Sequence, residues 1–256
     1  MTPVWSVLAV RTPTLPPAMH TNAYLLGDTL VDPACPEPDE QVRLATWAGP
    51  IRRVLLTHHH LDHIGAVEAI VARTGASVWA HTDARLPFPV DHRVVDGERI
   101  DTGAGVLVAL HTPGHADGHL AFELEGTREL IAGDLVAGEG TIVLPAPEGD
   151  LARYLASLAR VRALADRLWP AHGPAVPAAL ADAYIAHRHA RTAQFVAVLG
   201  AGPATPEQVA ATVYAAVPGV HLGLAAAQVR THLAWLRDQG RVAAEGEVWS
   251  LVGGAP

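Results

Sequence analysis

Short apolar blocks alternate with helical patterns along the first half of the chain. Val4–Val10 reads as an opening β-strand. Asn22–Gly27 and Thr29–Asp32 form a hairpin pattern around Gly27-Asp28. Asp39–Trp47 reads as a short helix and Arg52–Thr57 as an apolar strand. Ile64–Thr74 has helical periodicity, with Val67, Ile70 and Val71 inward. Ser77–Ala80 and Val106–His111 predict buried strands, and Leu120–Leu124 with Glu129–Ala132 predicts a second hairpin around Gly126. From Asp150, a favourable N-cap, the pattern turns helical. Leu151, Leu155, Leu158, Ala165 and Leu168 make one apolar face, with Arg153, Arg160 and Arg167 off it. Strand–helix alternation mixed with hairpins predicts an α/β layered domain.

A second unit begins late in the chain. Pro177–Leu199 reads as one long helical stretch, and Gly200-Ala201-Gly202-Pro203-Ala204 as a linker. Thr205-Pro206 opens a helix with an N-cap threonine and proline at the first helical position. Leu222–Gln239 is helical with Val229, Leu233 and Leu236 on one face, and Arg241–Val252 alternates as a ribbon around Glu245-Gly246. Helix, helix and hairpin over this span predict a winged-helix-like domain. The expected division is a catalytic domain at 1–176, a connecting helix and linker at 177–204, and the winged-helix-like domain at 205–256.

Composition narrows the classes. Of 256 residues, half are hydrophobic and 17% are charged, which excludes a chain that is mainly disordered. All 18 basic residues are arginine, and the net charge of −8 argues against a general nucleic-acid binder. No apolar run is long enough to span a membrane. The run at Val4–Val10 is too short for a signal h-region and lacks a basic flank. With one cysteine, Cys35, a disulfide framework is excluded. A cytoplasmic location is expected.

The 15 histidines carry the chemistry. The strand Arg52–Thr57 runs into Thr57-His58-His59-His60-Leu61-Asp62-His63, an H-x-H-x-D-H pattern where a strand meets a helix. Histidines two apart on an extended loop converge on one ion, while Asp62 and His63, at the turn into the helix, point to a second. Imidazole and carboxylate donors suit Zn²⁺, Fe or Mn. His59 leaves the backbone on the opposite side and is expected to be structural. Three further strand ends carry donor residues beside glycine or proline: Thr112-Pro113-Gly114-His115, Gly133-Asp134 and Ala171-His172-Gly173.

Together these pieces resemble the metallo-β-lactamase superfamily over residues 20–175, in order and in spacing. The resemblance implies an αββα sandwich with the site at one edge. It implies that His58, His60 and His115 hold a first metal, that Asp62, His63 and His172 hold a second, and that Asp134 bridges both. Two divalent ions per chain are then expected, Zn²⁺ first, with Fe or Mn as alternatives. Ala66 departs from the family, which often has a second glycine there. Gly138-Glu139-Gly140-Thr141, Tyr184-Ile185-Ala186-His187-Arg188 and the winged helix are similar to the β-lactamase-like group with a C-terminal winged helix. Some members of that group are endoribonucleases. The motifs do not separate it from glyoxalase II-like thioesterases.

Two cations sharing a water lower its pKa, from about 15.7 towards 7 for a single Zn²⁺. The bridging hydroxide then attacks a carbonyl or a phosphorus. Asp62 is the expected proton acceptor, and His119 a candidate for lining the substrate pocket. The leading expectation is a dinuclear metallohydrolase of a small ester, thioester or lactone. Endoribonuclease action on single-stranded RNA is the second. An iron persulfide dioxygenase-type oxidoreductase, with one iron on His58, His115 and Asp134, is the third. The segment 205–256 has three arginines against four acids. It is expected to shape the mouth of the site or support a homodimer rather than read DNA.

Overall fold

The structure, a computed structural model, describes residues 5–253. One six-stranded sheet contains β1 (Ser6–Arg11), β2 (His20–Leu26), β3 (Thr29–Val31), β4 (Arg53–Leu55), β5 (Ser77–His81) and β6 (His92–Val94) in chain order. Its first three strands are antiparallel and β3 to β6 run parallel. The other contains β7 (Arg99–Asp101), β8 (Val106–His111), β9 (Leu120–Leu124), β10 (Glu129–Gly133), β11 (Arg167–Pro170) and β12 (Val176–Pro177), again in chain order. Helices α1 (Pro38–Ala48), α2 (Leu61–Ile64) and α3 (Val67–Thr74) interrupt the first sheet, and α4 (Leu151–Leu164) links the parallel pair β10 and β11.

The period-2 alternation of the strands assigns each side chain to a layer. On β2, Tyr24 and Leu26 face the second sheet while Ala23 and Leu25 face the helical side. On β8, Leu107 and Ala109 enter the layer between the sheets, and Val108 and Leu110 turn to α4. Ile131 of β10 points inward between Leu130 and Ala132, which point outward. Three apolar layers result, and the order is helix, sheet, sheet, helix. Polar clasps close one edge of the sandwich. Tyr24 donates its hydroxyl to the Pro170 carbonyl at 2.7 Å, and the Asn22 amide donates to Pro170 and Gly173.

The C-terminal part contains α5 (Leu180–Gly200), α6 (Pro206–Val213), α7 (Leu222–Asp238) and the hairpin β13 (Val242–Glu245) and β14 (Val248–Leu251). Thr205 and Gln208 form a reciprocal capping box on α6. Phe195 and Leu199 of α5 share a core with Val209, Val229, Leu233 and Leu236.

Several boundaries differ from expectation. Leu168 does not extend the apolar face of α4. That helix ends at Leu164, and Leu168 is buried on β11. Tyr154 and Val161 complete the face instead. Pro177 belongs to the edge strand β12, where its missing N–H is tolerated, so the long helix starts three residues later at Leu180. Gly200 lies inside that helix and Ala204 pairs with Trp249, which shortens the linker. The three-residue strands β6 and β7 are too short for a periodicity signal. Val4 of the expected opening strand lies outside the described residues. No described helix is long and apolar enough to cross a membrane.

Candidate metal centre

The loops that follow β3, β4, β8, β10 and β11 open on the same edge of the sandwich. The β4 loop brings His58 Nε2 to 3.0 Å from His60 Nδ1, and the β8 loop brings His115 Nε2 to 3.0 Å from the same atom. A second cluster joins Asp62, His63 and His172. Asp62 Oδ2 stands 3.6 Å from His172 Nε2, and Asp62 Oδ1 4.0 Å from His63 Nε2. Asp134 lies between the clusters. Its Oδ2 is 3.5 Å from His115 Nε2, and its Oδ1 is 3.6 Å from His63 Nε2 and 3.4 Å from His172 Nε2. Donors at tetrahedral angles on one Zn²⁺ stand about 3.4 Å apart, so the spacing suits a shared cation.

Two orphaned atoms support the same fit. His63 Nε2 and Asp134 Oδ1 are buried without a hydrogen-bond partner. Each unpaired polar atom of this kind costs about 1–3 kcal/mol. A cation between them satisfies both. Burial drives His58 well below the ordinary histidine value, and His63, His60 and His115 push it the same way. Burial also takes His115 down to about 4. Burial opposes charge on Asp134, but His63 and His172 outweigh it and hold the carboxylate ionised. Neutral imidazole and ionised carboxylate are the states that bind metals. Burial also opposes charge on His63 and His172, but Asp134, with Asp32 at His63, outweighs it and raises both, so a cation in the second cluster displaces protons held there.

The remaining nitrogen of each donor histidine is engaged. Asp32 accepts from His63 Nδ1 at 2.8 Å and also from the Thr57 N–H and hydroxyl. His58 Nδ1 meets Thr57 Oγ1 at 3.0 Å. His115 Nδ1 donates to the Val143 carbonyl at 2.9 Å and His172 Nδ1 to that of His20 at 3.0 Å. Glu148 faces both His60 and His59, at 3.4 and 3.3 Å. His59 thus turns to Glu148, away from the His58–His60–His115 tripod.

His119 is not on the pocket wall. It is fully buried, accepts the Asp134 backbone N–H at Nε2, 3.1 Å away, and donates from Nδ1 to the Thr112 hydroxyl oxygen at 2.8 Å. The reason is Gly133, at φ +51°: a β-carbon there would lie 2.6 Å from His119 Nε2. The ring occupies the space that glycine leaves. Sequence reasoning missed Asp32, Glu148 and Thr14, whose hydroxyl donates to Asp62 Oδ2 at 2.7 Å. The one local signal for Asp32 was an aspartate closing an apolar strand before proline.

Above the donors lies a cavity of about 390 Å³, walled by Thr14, Leu15, Ala18, Glu139, Ile142 and Val143. One wall is a strap, residues 141–146, held from the C-terminal helices. Arg188 donates to the Ile142 carbonyl at 2.5 Å. Gln228 accepts the Leu144 N–H, Thr231 donates to the Leu144 carbonyl, and the Ala146 N–H donates to Ala227.

Known proteins place this arrangement in a family. Residues 16–172 match the metallo-beta-lactamase superfamily, and residues 205–249 match the beta-lactamase associated winged helix domain. A hydroxyacylglutathione hydrolase of Fuscovulum blasticum is 39% identical over 168 residues, covering 61% of this chain and 63% of that protein. A thioesterase of Emericella nidulans is 34% identical over 192 residues, covering 70% and 54%. The chain spans less than two thirds of the length of the first curated relatives it matches. The crystal structure of a metallo-beta-lactamase family protein from Thermus thermophilus superposes with a TM-score of 0.84 at 25% identity, covering 98% of this chain and 99% of that one. The fold, the donor clusters and a family match over more than half of the sequence agree, and the chain belongs to the metallo-beta-lactamase superfamily.

Proposed function

We propose that this protein is a dinuclear metal-dependent hydrolase acting on a small ester, thioester or lactone. The observation that carries the reading is the pair of donor clusters meeting at one buried carboxylate, Asp134. His58, His60 and His115 would hold one cation, Asp62, His63 and His172 the other, and Asp134 both. When bound, two divalent cations, Zn²⁺ by the character of the donors, supply Lewis acidity and bring the pKa of water towards neutrality.

The residues of the chain govern the rest. Asp62 sits where the second cluster meets the cavity, and its carboxylate takes the proton released by the attacking water. The Thr14 hydroxyl holds Asp62 in that pose. Leu15, Ala18, Ile142 and Val143 surround the reacting carbonyl with apolar surface and limit access of bulk water. The cavity falls in the size range of small-molecule sites, which favours a compact reacting group over a nucleic-acid strand. A single-iron site on His58, His115 and Asp134 would leave the Asp62–His63–His172 cluster without a purpose. The relatives named as a hydroxyacylglutathione hydrolase and a thioesterase support hydrolysis.

The test is elemental analysis of the metal-loaded protein combined with a panel of thioesters, lactones, phosphodiesters and single-stranded RNA. About two equivalents of metal per chain and turnover of an ester, thioester or lactone are expected. One equivalent, unchanged by His63→Ala or His172→Ala, or cleavage of RNA alone, would overturn the reading.

A further inference from the structure

Beside the cavity over the donor clusters lies a groove of about 460 Å³. Leu15, Thr141 and Val143 line both spaces, so the groove adjoins the cavity across these three residues. The far wall comes from the C-terminal helices: Arg191 of α5, Tyr214 and Val217 after α6, and Leu224 and Gln228 of α7. Most of this wall is apolar. Leu15 and Val217 are exposed hydrophobics at its lips.

Charge differs sharply between the two spaces. Asp62, Asp134 and Glu139 line the cavity over the donors. None of the fifteen residues lining the groove is acidic, and Arg191 supplies a permanent positive charge. The Arg191 guanidinium lies 4.7 Å from the centre of the Tyr214 ring and donates to Gln194 at 2.9 Å. Among the described residues it meets no carboxylate. His187 and His221 flank the same groove. A cation on an apolar groove with no internal anion is complementary to an anion carried by a ligand.

We infer that the groove is the distal half of the substrate site and that the substrate is elongated. Beyond its reacting carbonyl it has an apolar, methylene-rich stretch and ends in an anionic group that meets Arg191. This inference rests on the hydrolase reading and narrows its substrate class. It also assigns the winged-helix region a direct part in specificity. Hydrolysis itself is unchanged: water adds to the carbonyl, the carbon–sulfur or carbon–oxygen bond breaks, and the leaving group departs with a proton.

The experiment compares kcat/KM of the metal-loaded protein on the monothioesters of succinate, suberate and dodecanedioate. Methyl-ended acyl thioesters of matching length are the controls. We expect kcat/KM to rise with length by roughly two- to fourfold per buried methylene until the groove is filled. The carboxylate-ended long chain should exceed its methyl-ended control by roughly tenfold. Arg191→Gln should erase that carboxylate preference, and Leu224→Trp, which fills the groove, should erase the length preference. Arg237→Gln, remote from the groove, should keep both. Thioester turnover that is indifferent to length and end group, or preferences that persist in Arg191→Gln and Leu224→Trp, would overturn the inference and leave the hydrolase standing. Absence of turnover on every ester, thioester and lactone would remove the hydrolase reading and this inference with it.

Discussion

Each donor imidazole at the centre is oriented through its second nitrogen, and the partners are not equivalent. Asp32 is buried and has three donors on it: the Thr57 N–H, the Thr57 hydroxyl and His63 Nδ1. A carboxylate behind a ligating histidine fixes its tautomer and raises its basicity, and its loss lowers metal affinity by roughly 10- to 100-fold. Asp32→Ala should therefore weaken the second site by about that factor while the first stays filled, as read by metal content during chelator titration. It also strands buried donors, so thermal unfolding should register a loss of about 3 kcal/mol. Equal loss from both sites would show that Asp32 supports the whole edge. Asp62 tests the chemistry instead. Asp62→Ala should lower kcat by about 10²–10⁴ with the first site still occupied, and near-normal turnover would remove Asp62 from the mechanism. The donor-type residues were legible because motif spacing places them at strand ends. Asp32 was not, because it lies 31 positions from the His63 nitrogen it holds. His119 was ambiguous for a related reason: only the space above Gly133 decides that its ring turns inward.

Elements far apart in sequence meet at the strap formed by residues 141–146. The Val143 carbonyl holds His115 Nδ1, and on either side of it Arg188 holds Ile142 while Gln228 and Thr231 hold Leu144. Helix α7 thus bears on a donor histidine through one short segment. Thr231→Val keeps the volume and removes the hydroxyl that donates to Leu144. We expect it to reduce the affinity of the first site relative to the second and to cost about 1–2 kcal/mol of stability. Chelator titration separates this from general destabilisation, which would affect both sites alike. The same helix carries His232, fully buried and bonded at Nδ1 to Thr192. Burial lowers its pKa to about 3, and the charges on Arg188, His187, His189 and Arg191 act in the same direction. The folded value lies below the unfolded one, so the unfolded chain takes up the proton first as pH falls. The contribution is complete above about pH 6.5 and is lost progressively towards the folded value, reaching about 2 kcal/mol by pH 5. Urea unfolding between pH 7 and 5 should show that slope, and His232→Gln should flatten it. The apolar faces of α3 and α7 were readable from periodicity. The strap was not, since its pairings depend on tertiary contacts between a loop and a helix more than 80 residues later.

At the scale of the molecule, the question is what a winged-helix unit does on a metallo-beta-lactamase frame. A layered α/β frame was legible from the strand–helix alternation and the order of its layers from the family resemblance, but the use of the C-terminal unit was not, because helix–helix–hairpin patterning is the same whether the second helix faces DNA or protein. Here its faces are largely committed. Eight of the seventeen residues of α7 are buried, including Gln228 and Thr231 on the strap and Val229, Leu233 and Leu236 in the local core. Its cations are committed too. Arg230 is paired with Glu207 at 2.6 Å and Glu247 at 3.3 Å, and Arg237 with Asp238 at 3.4 Å. Arg241 is left as the one arginine of this segment without a carboxylate partner among the described residues. Non-specific nucleic-acid affinity grows with the number of phosphates neutralised, each through release of counterions. One free cation in this segment, on a chain of net charge −8, supplies almost none of it. The full-length protein should show no saturable binding to mixed-sequence duplex DNA, or to single-stranded RNA, in fluorescence anisotropy at physiological salt. Any signal at low salt should vanish with a slope of about one released ion. Saturable binding at physiological salt, weakened by Arg230→Gln and Arg237→Gln, would show that these ion pairs open to phosphate and would return the C-terminal unit to nucleic-acid recognition.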